Sequence, residues 1–239
     1  MRKIFYPLAA LFLVGGVAAQ GLEEIVVTGT RISDSYYDAP SMPAVTLAKE
    51  ADFLIQNIRL VNDSRAPNLR REEIITTIEN LLRRAKSMQG MALSYGTGFL
   101  EPVDLDEVAV QMLEDRQRID TSYINVVAKI EFDPKRDPKK QIEDLREFVD
   151  GTKKAGRTEI LRQGDIGLSI VGPEQYRYEI IKKIGAENTR VLEAIGSNCD
   201  VSVGSLENRV QWQRTGIGEL TLYIDYYLQI DDCSQATGS

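Results

Sequence analysis

The sequence predicts an α+β fold: a mostly antiparallel sheet with three amphipathic helices, in the order β-α-β-β-α-β-α-β-β, ending in a long β-hairpin. Three observations carry this expectation. Apolar residues recur at helical spacing in three segments bounded by capping or breaking residues. Strict two-residue alternation marks strands between and after them. Several strand segments follow one another across short Gly- or Pro-bearing breaks, which suits hairpins with helices covering one face.

Residues 44–62 read as the first body strand, with Phe53, Leu54, Ile55, Ile58, Leu60 and Val61 gathered at its end. Pro67 and Asn68 break the chain. Leu69 to Met88 is an amphipathic helix, because Ile74, Ile78, Leu81, Ala85 and Met88 fall on one face, and Gly90 ends it. Residues 91–100 form a strand that Pro102 stops. Residues 103–118 fit either a short helix or an irregular strand. From Thr121, Ile124, Val126, Ala128, Ile130 and Phe132 alternate with Tyr123, Asn125, Lys129 and Glu131. Asp137-Pro138 starts the second helix, since Asp accepts unpaired first-turn N–H groups and Pro tolerates that turn. Its inward residues are Ile142, Leu145, Phe148 and Val149.

A strand at 158–171 places Ile166, Leu168 and Ile170 together. Pro173 opens the third helix, striped by Ile180, Ile184, Val191 and Ile195 and stopped by Gly196. Residues 200–212 and 218–231 make the closing hairpin. There Leu220, Leu222, Ile224, Tyr226, Leu228 and Ile230 alternate with Thr221, Tyr223, Asp225, Tyr227 and Gln229. Tyr223, Asp225 and Tyr227 then share one face, which suits either packing against a helix or a protein interface.

Composition narrows the function. The 239 residues contain no histidine, so imidazole-based triads, zinc sites and proton shuttles cannot be assembled from this chain alone. A net charge of −7 argues against general nucleic-acid affinity. Ser94, Ser169 and Ser202 have no histidine partner; a Ser–Lys dyad is open in principle, but no Ser-x-x-Lys occurs. Gly96-Thr97-Gly98 reads as a turn, without the lysine or following helix of a phosphate loop. Glu101, Asp104, Asp106 and Glu107 cluster without the spacing of a calcium loop. Basic pairs such as Arg83-Arg84 are interleaved with acids, as on solvated helix faces. No catalytic residue, metal site or cofactor is expected, and the chain reads as a non-enzyme; a carboxylate-based enzyme or ligand-binding module is the contrary reading.

The amino terminus supplies an address. Arg2 and Lys3, the apolar run Leu8–Val17 and the small residues before Gln20 make residues 1–19 a secretory signal, too short an apolar stretch to span a membrane. No later segment is apolar enough to span one, so the mature chain is expected in the periplasm. Residues 20–43 read as a flexible leader, 44–233 as the α+β domain with room for two lobes, and 234–239 as a disordered tail. In an oxidising compartment the two cysteines, Cys199 and Cys233, are expected to pair. A hairpin centred on Gly216 sets them face to face, and the bridge would contribute roughly 3–4 kcal/mol in the chain-entropy model. A bulge at Gly204 would shift that register.

Leu22-Glu23-Glu24-Ile25-Val26-Val27-Thr28-Gly29-Thr30-Arg31-Ile32 resembles the start of mature TonB-dependent outer-membrane receptors. In that family an Ile-Val-Val-Thr stretch is similar to the Ton box, an extended segment that pairs with a strand of TonB. The resemblance implies that Ile25, Val26, Val27, Thr28 and Gly29 bind a partner by strand addition, with TonB the partner and an association with the outer membrane. No barrel follows the segment, and an ordinary first strand explains the same residues. The body, 44–231, resembles the SIMPL family of exported proteins on three features: Ile25-Val26-Val27-Thr28-Gly29, the long helix after the first strand, and the later strand–helix alternation. That resemblance implies an envelope protein forming homo-oligomers, with no catalytic residues to carry over.

Overall fold

The protein, seen as a computed structural model, is described at residues 23–27, 42–96, 98–195 and 199–231. The signal, most of the leader including Thr28 and Gly29, Cys233 and the tail lie outside the described residues. The fold is α+β with a mostly antiparallel sheet, as the sequence predicts.

The elements run in order as β1 (Glu24–Val27), β2 (Leu47–Glu50), β3 (Phe53–Asn62), α1 (Pro67–Ser87), β4 (Met91–Tyr95) and β5 (Phe99–Pro102). Then come α2 (Leu105–Val110), β6 (Leu113–Glu114), β7 (Ser122–Glu131), α3 (Pro138–Asp150) and β8 (Glu159–Val171). A 3-10 turn (Pro173–Tyr176) leads into α4 (Arg177–Ile195), and β9 (Asp200–Gly204), β10 (Gln211–Arg214), β11 (Glu219–Tyr223) and β12 (Tyr227–Asp231) follow.

The three predicted helices are α1, α3 and α4. Ile74, Ile78 and Leu81 of α1 are fully buried, each contributing roughly 1.5–3 kcal/mol of apolar burial. Pro67 starts α1 rather than breaking the chain before it, because a first-turn N–H has no helical acceptor to lose. Asp137 caps α3 by accepting from the Lys139 N–H at 3.0 Å. The ambiguous segment holds both a helix and a strand. Asp104 caps α2 through the Asp106 and Glu107 N–H groups, and the chain then extends into β6. The expected single strand over 44–62 is two, β2 and β3, with Ala51 and Asp52 between them.

The buried faces of β3, β7 and β8 (Leu54, Ile58, Leu60; Ile124, Val126, Ala128, Ile130; Leu168, Ile170) pack with α1, α3 and α4 in one apolar cluster. The same cluster takes in Leu220, Leu222 and Ile224 from the carboxy-terminal layer, where β10, β11 and β2 form a three-stranded sheet. Lys49 of β2 pairs with Glu179 of α4, and the Lys183 ammonium donates to the Thr46 carbonyl, setting α4 beside β2.

The closing hairpin is not continuous. Trp212 faces Leu222 in one ladder, whereas Val203 faces Leu228 in the other, and the two registers differ from each other and from a hairpin centred on Gly216. The break falls where the backbone turns: Ser205 adopts a φ of 65°, and a Cβ on Gly204 would meet the Tyr227 ring at 2.2 Å. Residues 224–226 lie between β11 and β12, so the expected alternation from 218 to 231 is interrupted.

Candidate functional site

The feature that sets this sheet apart is its closure. Its seven strands run β3-β8-β1-β5-β4-β7-β6, and β3 also pairs with β7 along its whole length. All strands except β6 therefore join in a closed antiparallel ring. The last link is β1, which pairs with β8 on one side and β5 on the other. The Gly172 N–H donates to the Glu23 carbonyl at 2.7 Å, and the Val26 N–H to the Gly98 carbonyl at 3.2 Å.

Closure corrects the leader. Within the span expected to be flexible, Glu24–Val27 is a ring strand with Ile25 buried. The reason is chemical as much as steric. On the ring face turned away from the helices, Glu24 forms an ion pair with Lys129, and each side chain is only 10% exposed. The Ser169 hydroxyl donates to the other Glu24 oxygen at 2.7 Å, and the Lys129 ammonium lies 4.2 Å from the centre of the Phe53 ring. Ile55, Leu100 and Val127, with Val26 and Phe53, form the apolar packing around this pair. A buried charge left alone is costly, so Lys129 requires the carboxylate that β1 brings. The Ton-box-like residues Ile25, Val26 and Val27 are thus engaged in their own sheet.

Ser169, Glu24 and Lys129 thus form a row in which the hydroxyl donates to a carboxylate that also pairs with the lysine, tying β1 to β8 and β7. A second polar cluster forms where the acidic loop meets β4. The Tyr95 hydroxyl lies 2.9 Å from a Glu101 oxygen and 2.5 Å from a Glu107 oxygen. Both carboxylates favour the protonated phenol and push its pKa well up, the Glu107 hydrogen bond most. Asp104 and Asp106 are occupied in capping α2 or stand exposed, and among the described residues no group of three or more His, Cys, Asp or Glu could hold a metal ion.

The other expected residues lie in different ladders or outside the described residues. Tyr223 is half-buried in β11 opposite Gln211, while Tyr227 is exposed in β12 opposite Gly204. Asp225 is in neither strand; its carbonyl accepts from the Asn208 side chain at 2.7 Å. Burial and the Asp225 charge both push the Tyr223 pKa up, burial first. The structure does not place the three on one strand face, because the ladders break between them. Cys199 is disulfide-bonded, and Cys233, the chain's other cysteine, lies outside the described residues.

Sequence reasoning missed two surface features. The first is the segment leaving α2. Val110 is 81% exposed, Leu113 50% and Ile119 85%, at or beside β6, which among the described residues pairs only with β7. Three large apolar residues within ten positions were visible in the sequence; their exposure was not. The second is a cavity at the ring mouth that includes Asn57, Arg59 and Asn125. Its signal lay in the alternate residues of β3 opposite the apolar face.

No protein-family model, no curated protein and no solved structure matches this chain.

Proposed function

We propose that this chain is a non-enzymatic protein of the cell envelope, exported to the periplasm, that acts through protein–protein contacts and assembles into SIMPL-like homo-oligomers. The observation that carries the reading is the exposed apolar run of Val110, Leu113 and Ile119 at the β6 edge. Large apolar side chains exposed along one short stretch beside a strand that, among the described residues, pairs on one side favour association over solvation. The remaining polar clusters, Glu24–Lys129–Ser169 and Tyr95–Glu101–Glu107, serve the fold.

Engagement of TonB through Ile25–Gly29 would require β1 to leave its place between β5 and β8 and abandon Lys129 inside the ring. Assembly through the β6 edge needs no such step, and the sequence resemblance of the body points the same way. Light scattering on the purified mature chain tests the proposal. Concentration-dependent assembly is expected, and replacing Val110 and Ile119 together by lysine should give monomers with an unchanged circular dichroism spectrum. A wild-type chain that stays monomeric at every concentration would end this reading.

A further inference from the structure

Beyond the ring, β3, β7 and β8 continue as a ribbon whose other face packs on α1 and α3. On the opposite face Asn57 stands opposite Gln163 on one side and Val127 on the other, and Arg59 stands opposite Asn125. Together with Val26 of β1 these residues line a cavity of about 350 Å³.

Among the described residues, neutral partners hold Arg59 in place. Its Nε donates to the Asn125 side-chain oxygen at 3.0 Å, and its guanidinium lies 4.5 Å from the centre of the Tyr123 ring. Among the described residues no carboxylate reaches ion-pair distance of Arg59, whereas Arg136, Arg157 and Arg177 each have one. Among the described residues no Asp or Glu lines the cavity, in a chain whose net charge is −7. The side-chain amides of Asn57 and Gln163 have no protein partner among the described residues, and Val26 and Val127 supply apolar wall.

We propose that this cavity binds a small oxyanion, a phosphate or a carboxylate, on the outer edge of the Arg59 guanidinium. A guanidinium offers two parallel N–H groups that match such an anion, and stacking on Tyr123 fixes its plane in advance. The Asn57, Asn125 and Gln163 amides supply further donors around it. The inference goes beyond the assembly reading and does not depend on it, since the cavity lies within one chain.

Calorimetric titration of the purified mature chain, at matched ionic strength, with inorganic phosphate in one arm and succinate in the other tests it. Saturable binding of at least one anion is expected, and the arm that responds identifies the class. Arg59→Gln should weaken binding by about tenfold or more, the loss of a charge-assisted bidentate contact. Asn57→Asp places a carboxylate in the cavity without touching the contacts that hold Arg59, and should abolish binding even if Arg59→Gln fails to fold. Arg190→Gln, on the exposed surface of α4, should change nothing. Absence of saturable binding in both arms, or wild-type affinity in a folded Asn57→Asp protein, overturns the proposal.

Discussion

The amino-terminal strand β1 and the carboxy-terminal pair β9–β12 behave in opposite ways. β1 has four residues and belongs to a stretch that reads as loose and polar, yet it sits between two strands with a buried ion pair. The carboxy-terminal segment carries the clearest alternation in the sequence, yet its hairpin splits into two ladders of different register. Alternation reports what a segment tends to do alone. Closure of β1 depends on Lys129 and Ser169, more than a hundred residues away, and the split depends on a turn at Gly204–Ser205 and on the Tyr227 ring. A distant partner decides the first outcome, and a turn within the segment itself the second.

Removing the carboxylate that locks β1 should have the largest effect. Glu24→Ala leaves Lys129 buried and unpaired, and urea unfolding should register a loss of about 3–5 kcal/mol. Replacing both Glu24 and Lys129 by methionine should recover most of it; a single mutant as stable as wild type would mean β1 contributes little to the ring. Reduction of the Cys199 disulfide should come next, costing about 2–4 kcal/mol in loop-closure terms. Amide exchange should quicken in β9 and β12 and stay unchanged in the β1–β8 ladder, which separates the two regions directly.

The smallest effect should lie in neither region. Glu73 of α1 accepts from the Arg157 N–H at 3.0 Å, the Asn62 amide at 2.6 Å and the Ser64 hydroxyl at 2.8 Å. These bonds, the Arg157 N–H first, hold its pKa below the ordinary 4.5. The folded state therefore prefers the ionised form. Its contribution is present above pH 4.5 and disappears as pH falls through the depressed value. Glu73→Gln should flatten the acid limb of a stability–pH curve while leaving the Glu24 and disulfide effects intact.

Helices were the most legible part of the fold. The apolar faces of α1 and α3 and the Asp137 cap are local signals, and each recurs in the structure. The inward residues of β7 were legible for the same reason. The short helix α2 was not, because six residues carry too little periodicity to outweigh the strand reading of the same segment. Gly96-Thr97-Gly98 was legible as a turn, yet residues 91–100 read as one strand; β4 and β5 are two short strands that pair with each other, and Gly96 adopts a φ of 122° between them. At the candidate sites the sequence supplied residue types but not convergence. Arg59, Asn57 and Asn125 lie on alternate positions of strands whose pairing only the closed sheet reveals.

Ring closure also imposes a schedule on the newborn chain. The slot that β1 fills is walled by β8, and Glu24 meets Ser169 across 145 positions of sequence. During synthesis the first strand of the sheet must wait until nearly three-quarters of the polypeptide has emerged before its partner exists. Contacts of such long range form late and slowly. A chain that closes its sheet last at its own beginning leaves the flanks of β5 and β8 unpaired on that side until β1 returns to them.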